Sequence, residues 1–377
     1  MIDFLFNTQP LPLILLGIFA LAFLVQVLFY WVVFYRLARH RPAGTEGKLP
    51  GVSVVICAHN EFHHLQETLP AILAQDYPEF EVLVVDHSSD DDTPFLLARL
   101  EEEYPHLSTL TIKEDLNFFQ GKKFPLSIGI RSAKHPLVLL TDADCRPASK
   151  DWIRHMASGY RPGKEIVLGF SPYTRFKGFL NRLIRFDTAH IGLQYLSYAL
   201  AGMPYMGVGR NLSYRKKIFY ENQGFISHYR IRSGDDDLFI NRVARRSNTA
   251  IMVNPGSFTF SDPKRTFGTW ITQKRRHLST GHLYRFKHKF MLGLYSSSMV
   301  VFYVLLVLLP ALNWSPVPVA TLFILRLLSQ YIVFSGTFRK LESSDLVPLV
   351  PVFELSLMMV NAGVALANLI QKPTRWK

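Results

Sequence analysis

Charge is missing from two long stretches of this 377-residue chain. No Asp, Glu, Lys or Arg occurs from Phe4 to Tyr35, and none from Phe290 to Leu325. A membrane-crossing helix needs about 20 apolar residues, so each stretch is long enough, which excludes a wholly soluble chain. Cysteine is nearly absent as well. Cys57 and Cys145 are the only two, both in the charged middle of the chain. That excludes a disulfide-stapled scaffold and predicts free thiols in a reducing compartment. The first apolar run also lacks the basic start and small-residue cleavage site of a secretory signal. Asp3 precedes it, and Phe29, Tyr30, Trp31 and Tyr35 lie at its far end, so it reads as a retained anchor.

What is present divides the chain into three parts. Residues 1–40 read as an N-terminal transmembrane anchor, 41–290 as a cytoplasmic catalytic domain with interfacial helices, and 291–377 as C-terminal transmembrane segments. Arg36, Arg39 and Arg41 follow the first span, and basic residues hold such an end in the cytoplasm. The expected setting is the plasma membrane or a bacterial inner membrane. Leu292 to Leu312 and Val317 to Phe338 read as two spans split by Asn313, Trp314, Ser315 and Pro316. A third apolar stretch, Leu346 to Ile370, is interrupted by Pro348, Pro351 and Glu354. Either it crosses, leaving Lys372 to Lys377 outside against the positive-inside tendency, or it re-enters or lies at the interface. Arg326, costly inside a span, is either functional or paired with Glu354, and the pairing is the favoured expectation. Lys177 to Leu200 has the pattern of an interfacial helix or, equally, of a core helix.

Between the membrane segments, after a Pro- and Gly-containing linker from Arg41 to Pro50, β-branched runs alternate with helical periodicity. Gly51 to Ala58, Phe80 to Asp86, Leu107 to Lys113, Pro136 to Asp142 and Ile166 to Phe170 are predicted strands. Leu65 to Gln75, Thr93 to Glu103, Pro125 to Ser132 and Asp151 to Tyr160 are predicted helices. The alternation gives an α/β fold with a mostly parallel, Rossmann-like sheet, whose ligands bind beyond the carboxyl ends of the strands.

Four clusters carry candidate chemistry. Asp86 closes a buried strand, where its carboxylate can accept hydrogen bonds from a base or ribose; Asp and Ser after a strand are also ordinary turn chemistry. Asp142 and Asp144 alternate on one side of an extended backbone, so both can face one cation, and hard oxygen ligands favour Mn2+ or Mg2+; two solvated turn aspartates are the plainer alternative. Asp235, Asp236 and Asp237 open a helix, where carboxylates are favoured by the dipole, and one of them can serve instead as a general base. Along Trp270 to His277, helical spacing puts Trp270, Gln273, Arg276 and His277 on one face with Lys274 pointing away. That face offers an aromatic platform and donors for a diphosphate or, alternatively, for lipid headgroups. The net charge of +13 at pH 7 comes without any nucleic-acid recognition motif. Its basic residues near the second apolar block, from Lys264 to Lys289, suit anionic lipids and a nucleotide diphosphate.

In this order, the clusters resemble the family 2 glycosyltransferases of GT-A fold, in the membrane-integrated branch related to cellulose and hyaluronan synthases. The likeness covers roughly Pro50 to Gly281 and includes Val52 to Glu61 as opening strand, Gly121-Lys122-Lys123, and Gly209 to Tyr214 beneath the donor sugar. The resemblance implies an inverting, metal-dependent transferase moving sugar from a nucleotide diphosphate, a UDP-sugar, to an acceptor hydroxyl that is lipid-linked or lies at the membrane surface, in envelope or polysaccharide synthesis. Carried over, Ala58, Asn60 and Glu61 line the nucleotide pocket, Asp86 meets uracil or ribose, and Lys122 sits near the nucleotide. Asp142 holds the donor, Asp144 binds the metal, Asp236 is the base, and Gln273, Arg276 and His277 contact acceptor and diphosphate. His87 and His277 depart from the pattern, the first standing for aspartate and the second for tryptophan. The latter departure favours transfer of one or a few sugars over polymerisation. The alternative reading is a catalytically silent GT-A-like membrane protein that binds a nucleotide sugar as a scaffold.

Overall fold

The computed structural model describes residues 10–42, 49–113, 121–231, 233–312 and 315–370. The expected turn at Asn313 and Trp314, most of the linker after Arg41, and the basic end from Lys372 lie outside these residues.

Nine strands are described: β1 Val52–Ala58, β2 Phe80–His87, β3 Leu107–Ile112, β4 Leu137–Asp142, β5 Arg146–Pro147, β6 Ile166–Leu168, β7 Leu212–Arg215, β8 Thr249–Ile251 and β9 Thr259–Phe260. Seven form one sheet in the order β3-β2-β1-β4-β7-β6-β8, and β5 pairs with β9. β1 lies between β2 and β4, parallel to both. Its residues are buried almost throughout, as a strand covered on both faces requires. β7 runs antiparallel to β4 and to β6, so the sheet is mostly parallel, as expected, with one reversed strand beside its centre. Sequence periodicity missed β7 because its four residues are too few for a repeat to register.

Helices α1 Pro10–Leu28 and α2 Tyr35–Arg39 are joined by a π-helical turn, Phe29–Phe34. Then follow α3 Phe62–Leu73, α4 Thr93–Glu103, α5 Lys123–Ser132, α6 Trp152–Ser158, α7 Phe179–Leu200, α8 Lys216–Glu221, α9 Asp237–Val243, α10 Phe267–Leu278, α11 Phe286–Ala311, α12 Pro316–Lys340 and α13 Val350–Ile370. The predicted helices over 65–75, 93–103, 125–132 and 151–160 all occur, with ends shifted by up to three residues. α5 sits close on the sheet because residue 129 is glycine. A Cβ there would stand 2.6 Å from Val55 Cγ1 and 2.9 Å from Val85 Cγ2, closer than packed carbons tolerate.

Among the described residues, four stretches are long and apolar enough to cross a membrane: Leu11–Arg39, Phe286–Ala311, Pro316–Lys340 and Ser344–Ile370. One apolar cluster runs from β4, β6 and β7 through α7 into all four of these, joining Leu140, Phe186, Phe34, Tyr295, Phe338 and Phe353. α7 is thus a core helix, the second of the two expected readings. Its middle is core, while Phe179 at its start is 61% exposed. Inside the helical bundle, the Arg326 guanidinium donates to Glu354 Oε2 at 2.7 Å and to Gln26 Oε1 at 2.7 Å. The expected pairing of Arg326 with Glu354 is present, and it is fully buried.

Candidate functional site

The parallel register sets the site. Ala58 lies opposite Asp86, and its neighbour Cys57 opposite Asp142, so three strand ends deliver their last residues to one rim. Asp86 is buried, its Oδ1 accepting the Ser89 amide at 3.3 Å. Its Oδ2 is buried without a hydrogen-bond partner among the described residues. A buried acceptor left unmatched is uncommon and costly, and it suits a donor that arrives with a ligand. The loops after β1 and β2 are laced together. Asn60, at φ 57°, a backbone state asparagine tolerates, donates its amide to Ser89 Oγ at 2.9 Å and accepts the Asp90 amide at 2.9 Å. Glu61 donates its amide to Thr93 Oγ1 at 3.0 Å, and its carboxylate contacts His64. Ala58, Asn60, Glu61 and Asp86 thus share one edge, with Asn60 and Glu61 also bracing it.

The end of β4 holds the acidic pair. Ligand atoms of Asp142, Asp144 and Cys145 all lie within 4.8 Å of one another. Lys122, at the start of α5, hydrogen-bonds to Asp142. Burial pushes the Asp142 carboxyl up, but Lys122, Arg210 and Arg276 outweigh it and hold the group below the usual carboxylate range. Asp144 goes the other way, raised by burial and by the charge of Asp142. Two crowded carboxylates of this kind are relieved by a cation, and their hard oxygens fit Mn2+ or Mg2+. The Cys145 thiol, pushed well up by burial and then by Asp144 and Asp142, stays protonated and is a poor ligand for such ions. Neither cysteine forms a disulfide, as expected.

The third stretch reaches the same cleft through a short 3-10 turn, Gly209–Asn211. Thr141, beside Asp142, donates its hydroxyl to the Arg210 carbonyl at 3.0 Å. The preceding amide, Gly209, donates to Asp236 Oδ2 at 2.7 Å. Asp236 Oδ1 accepts the Asp237 amide at 2.7 Å, capping α9. Burial, then Asp235 and Asp237, push the Asp236 carboxyl up to about 8. Asp237 is tied down structurally, its Oδ2 accepting from Thr280 and from the Tyr284 hydroxyl. Asp236 and Asp237 therefore differ in surroundings, the first bonded to Gly209 and the second to Thr280 and Tyr284.

One expectation for α10 needs correction. Trp270 and Lys274 are both buried, with the Lys274 ammonium 5.7 Å from the Trp270 ring centroid. Lys274 donates to both Asp187 oxygens, at 2.7 and 2.8 Å. Lys274 thus faces inward rather than away, and Trp270 packs in the core and offers no platform. An i, i+4 pair shares a face by geometry, and the buried carboxylate on α7 decides that this face turns in. Gln273 donates to the Tyr173 hydroxyl at 3.2 Å, and Arg276 lies close enough for its charge to act on Asp142. His277 is exposed beside Arg276; desolvation, then the charges of Arg276, Arg210 and Lys274, lower its imidazole pKa.

Residues 13–377 match the model of Glycosyl transferase family 21. The chain belongs to that family. This family 21 chain is 31% identical over 128 residues to the glycosyltransferase AglE of Haloferax volcanii, spanning 33% of this chain and 41% of that protein. It is 32% identical over 127 residues to a β-monoglucosyldiacylglycerol synthase of Trichormus variabilis, spanning 33% of this chain and 26% of that one. The matched stretch is thus less than half of either relative. Among solved structures, the mannosyltransferase PcManGT of Pyrobaculum calidifontis, solved with GDP-Man and Mn2+, superposes with a TM-score of 0.61 at 19% identity over 95% of this chain and 99% of that one. That likeness is one of fold. The GT-A kinship read from the motifs is borne out.

Two residues near the acidic pair of this family 21 chain escaped sequence reasoning. Arg210 lay inside a quoted segment, but nothing marked its side chain. It lies 4.4 Å from the Tyr173 ring centroid, donates to Ser261 Oγ at 2.7 Å, and its charge acts on Asp142 and Asp144. Tyr173 belongs to an isolated bridge with Ser261 and carries no motif signal.

Proposed function

We propose that this chain is a membrane-bound inverting glycosyltransferase that moves a sugar from a UDP-sugar to the hydroxyl of a lipid-linked or membrane-surface acceptor, with its catalytic domain in the cytoplasm. The observation that carries the reading is that Asp236 is tied to the clustered Asp142 and Asp144 through Gly209, Arg210 and Thr141. Asp86, with its unmatched Oδ2, is assigned to the nucleoside, and Lys122 with Asp142 to the donor. Asn60 and Glu61 shape the pocket around Ala58. A divalent cation on Asp144, when bound, supplies charge neutralisation for the departing diphosphate. Arg276 and Arg210 add fixed positive charge to the same region. Asp236, once ionised, takes the acceptor proton as the acceptor oxygen attacks the anomeric carbon opposite the nucleotide. Gln273 and His277 are assigned to the acceptor side.

The lipid acceptor is supported by the continuity of the domain core with the membrane helices and by the name of the β-monoglucosyldiacylglycerol synthase relative. The test uses the full chain in lipid nanodiscs with a membrane lipid extract, offered UDP-glucose, UDP-N-acetylglucosamine or GDP-mannose with Mn2+. One UDP-sugar is expected to be consumed, with inversion at the anomeric carbon, and EDTA to stop the reaction. Failure of all three to be consumed or to raise thermal stability overturns the proposal.

A further inference from the structure

Ser344–Ile370 is long and apolar enough to cross a membrane, yet both of its ends are fastened to the same body. At its start, Asp345 accepts two hydrogen bonds from Arg185 on α7, each 2.8 Å. Two residues along α7, Asp187 holds Lys274 of α10. The next residue of α10, Arg275, donates to Asn368 Oδ1 at 3.0 Å and to the Ala367 carbonyl at 3.3 Å, while Asn368 returns a bond to the Arg275 carbonyl at 3.1 Å. α13 has 21 residues, about 31 Å of helix. That length is laid along the α7 and α10 layer, between two anchors on one domain.

α7 itself fixes the level. It meets the domain-side halves of the spans: Ser197 donates to the Phe34 carbonyl, Phe186 packs against Phe338, and Tyr198 and His190 reach Phe29 and Tyr295. Phe353 near the start of α13 packs on Phe179 and Phe186 of that helix. Meanwhile Val352, Met359, Leu366, Leu369 and Ile370 are 54 to 88% exposed. No charged side chain accompanies them on this outward face, since the one charge of α13, Glu354, is turned in to Arg326.

We propose that Ser344–Ile370 does not cross the membrane but is a surface helix of the leaflet that faces the globular domain, with its outward apolar face in the acyl chains and its far end clasped to α10 by Asn368. A domain that holds both ends of a helix cannot release one of them to the opposite face. The apolar outward surface, with no polar rim of its own, suits acyl chains of a single leaflet. Three crossings then remain among the described residues, and Ile370 at the end of α13 stays on the domain's side. This inference rests on the chain being membrane-embedded and not on any transferase activity.

The test places single cysteines in the full chain in sealed vesicles, at Lys217 on the domain, at Ser344 where the segment starts and at Lys372 just after it. A membrane-impermeant maleimide is applied before and after permeabilisation, and the unsubstituted chain provides the background of Cys57 and Cys145. All three positions are expected to react from the same side. Reaction of Lys372→Cys only from the side opposite Lys217→Cys overturns the proposal. Where the Lys372→Cys variant does not accumulate, an epitope appended after Lys377 and digested by protease from either side separates the same two outcomes.

Discussion

The amide of Gly209 donates to Asp236 at 2.7 Å, and through this bond the helix start at Asp236 is held against the segment that carries Arg210 beside Asp142 and Asp144. A side chain at residue 209 would place its Cβ 3.5 Å from Asp236 Oδ2. The bond orders a carboxylate that burial would otherwise leave costly. It also links the proposed base to the acidic pair through two consecutive residues.

Asp236→Asn is expected to keep the fold, since asparagine caps a helix about as well as aspartate. Transfer should fall by about 10² to 10⁴, the usual worth of a general base. Asp235→Asn and Asp237→Asn, made in parallel, should retain more activity. Single-turnover rates check the ranking, and equal losses in all three would sink the assignment.

A base works only when ionised, and the Asp236 carboxyl stands raised to about 8. The neutral form therefore dominates at lower pH, and activity is gained as pH rises through that value. A pH profile of kcat/KM should show an ascending limb near 8, and it should vanish in Asp236→Asn. A flat profile from pH 6 to 9 would contradict the reading.

Asp144→Ala removes one of two crowded carboxylates. Manganese binding, followed by electron paramagnetic resonance, should weaken by about the tenfold or more that loss of one charged ligand entails. Thermal stabilisation by UDP with Mn2+ should fall with it. Unchanged manganese affinity would remove Asp144 from the site.

Arg210→Met takes a fixed positive charge from beside the acidic pair. Divalent cations should bind more tightly, because one repulsive neighbour is gone, while turnover falls for want of charge opposite the diphosphate. Manganese titration and kcat, measured on one preparation, should move in opposite directions.

Lys274→Ala leaves Asp187 buried without its partner, and such losses cost about 3 to 5 kcal/mol. The thermal midpoint in detergent should drop markedly. Replacing both residues together, Lys274→Leu with Asp187→Leu, should recover part of that loss.

Much of this molecule was legible in its sequence because local patterns report local forces. Uncharged runs announced the long apolar helices, buried β-branched runs announced β1, β2 and β4, and the same runs placed Asp86 and Asp142 at strand ends. The fate of Trp270 and Lys274 was not legible. Helical spacing shows which residues share a face, but only the distant Asp187 determines which way that face turns. Arg210 and Tyr173 were silent for the same reason, their partners lying far along the chain.

By itself, then, the sequence determined the long apolar segments, the α/β alternation and the acidic clusters, since each depends on the nearest residues in the chain. Tertiary structure alone decided that Gly209 joins Asp236 to the segment beside Asp142 and Asp144, that Lys274 faces inward, and that both ends of Ser344–Ile370 meet one domain. Those outcomes depend on contacts between segments tens to hundreds of residues apart, and no local pattern encodes which distant group will be met.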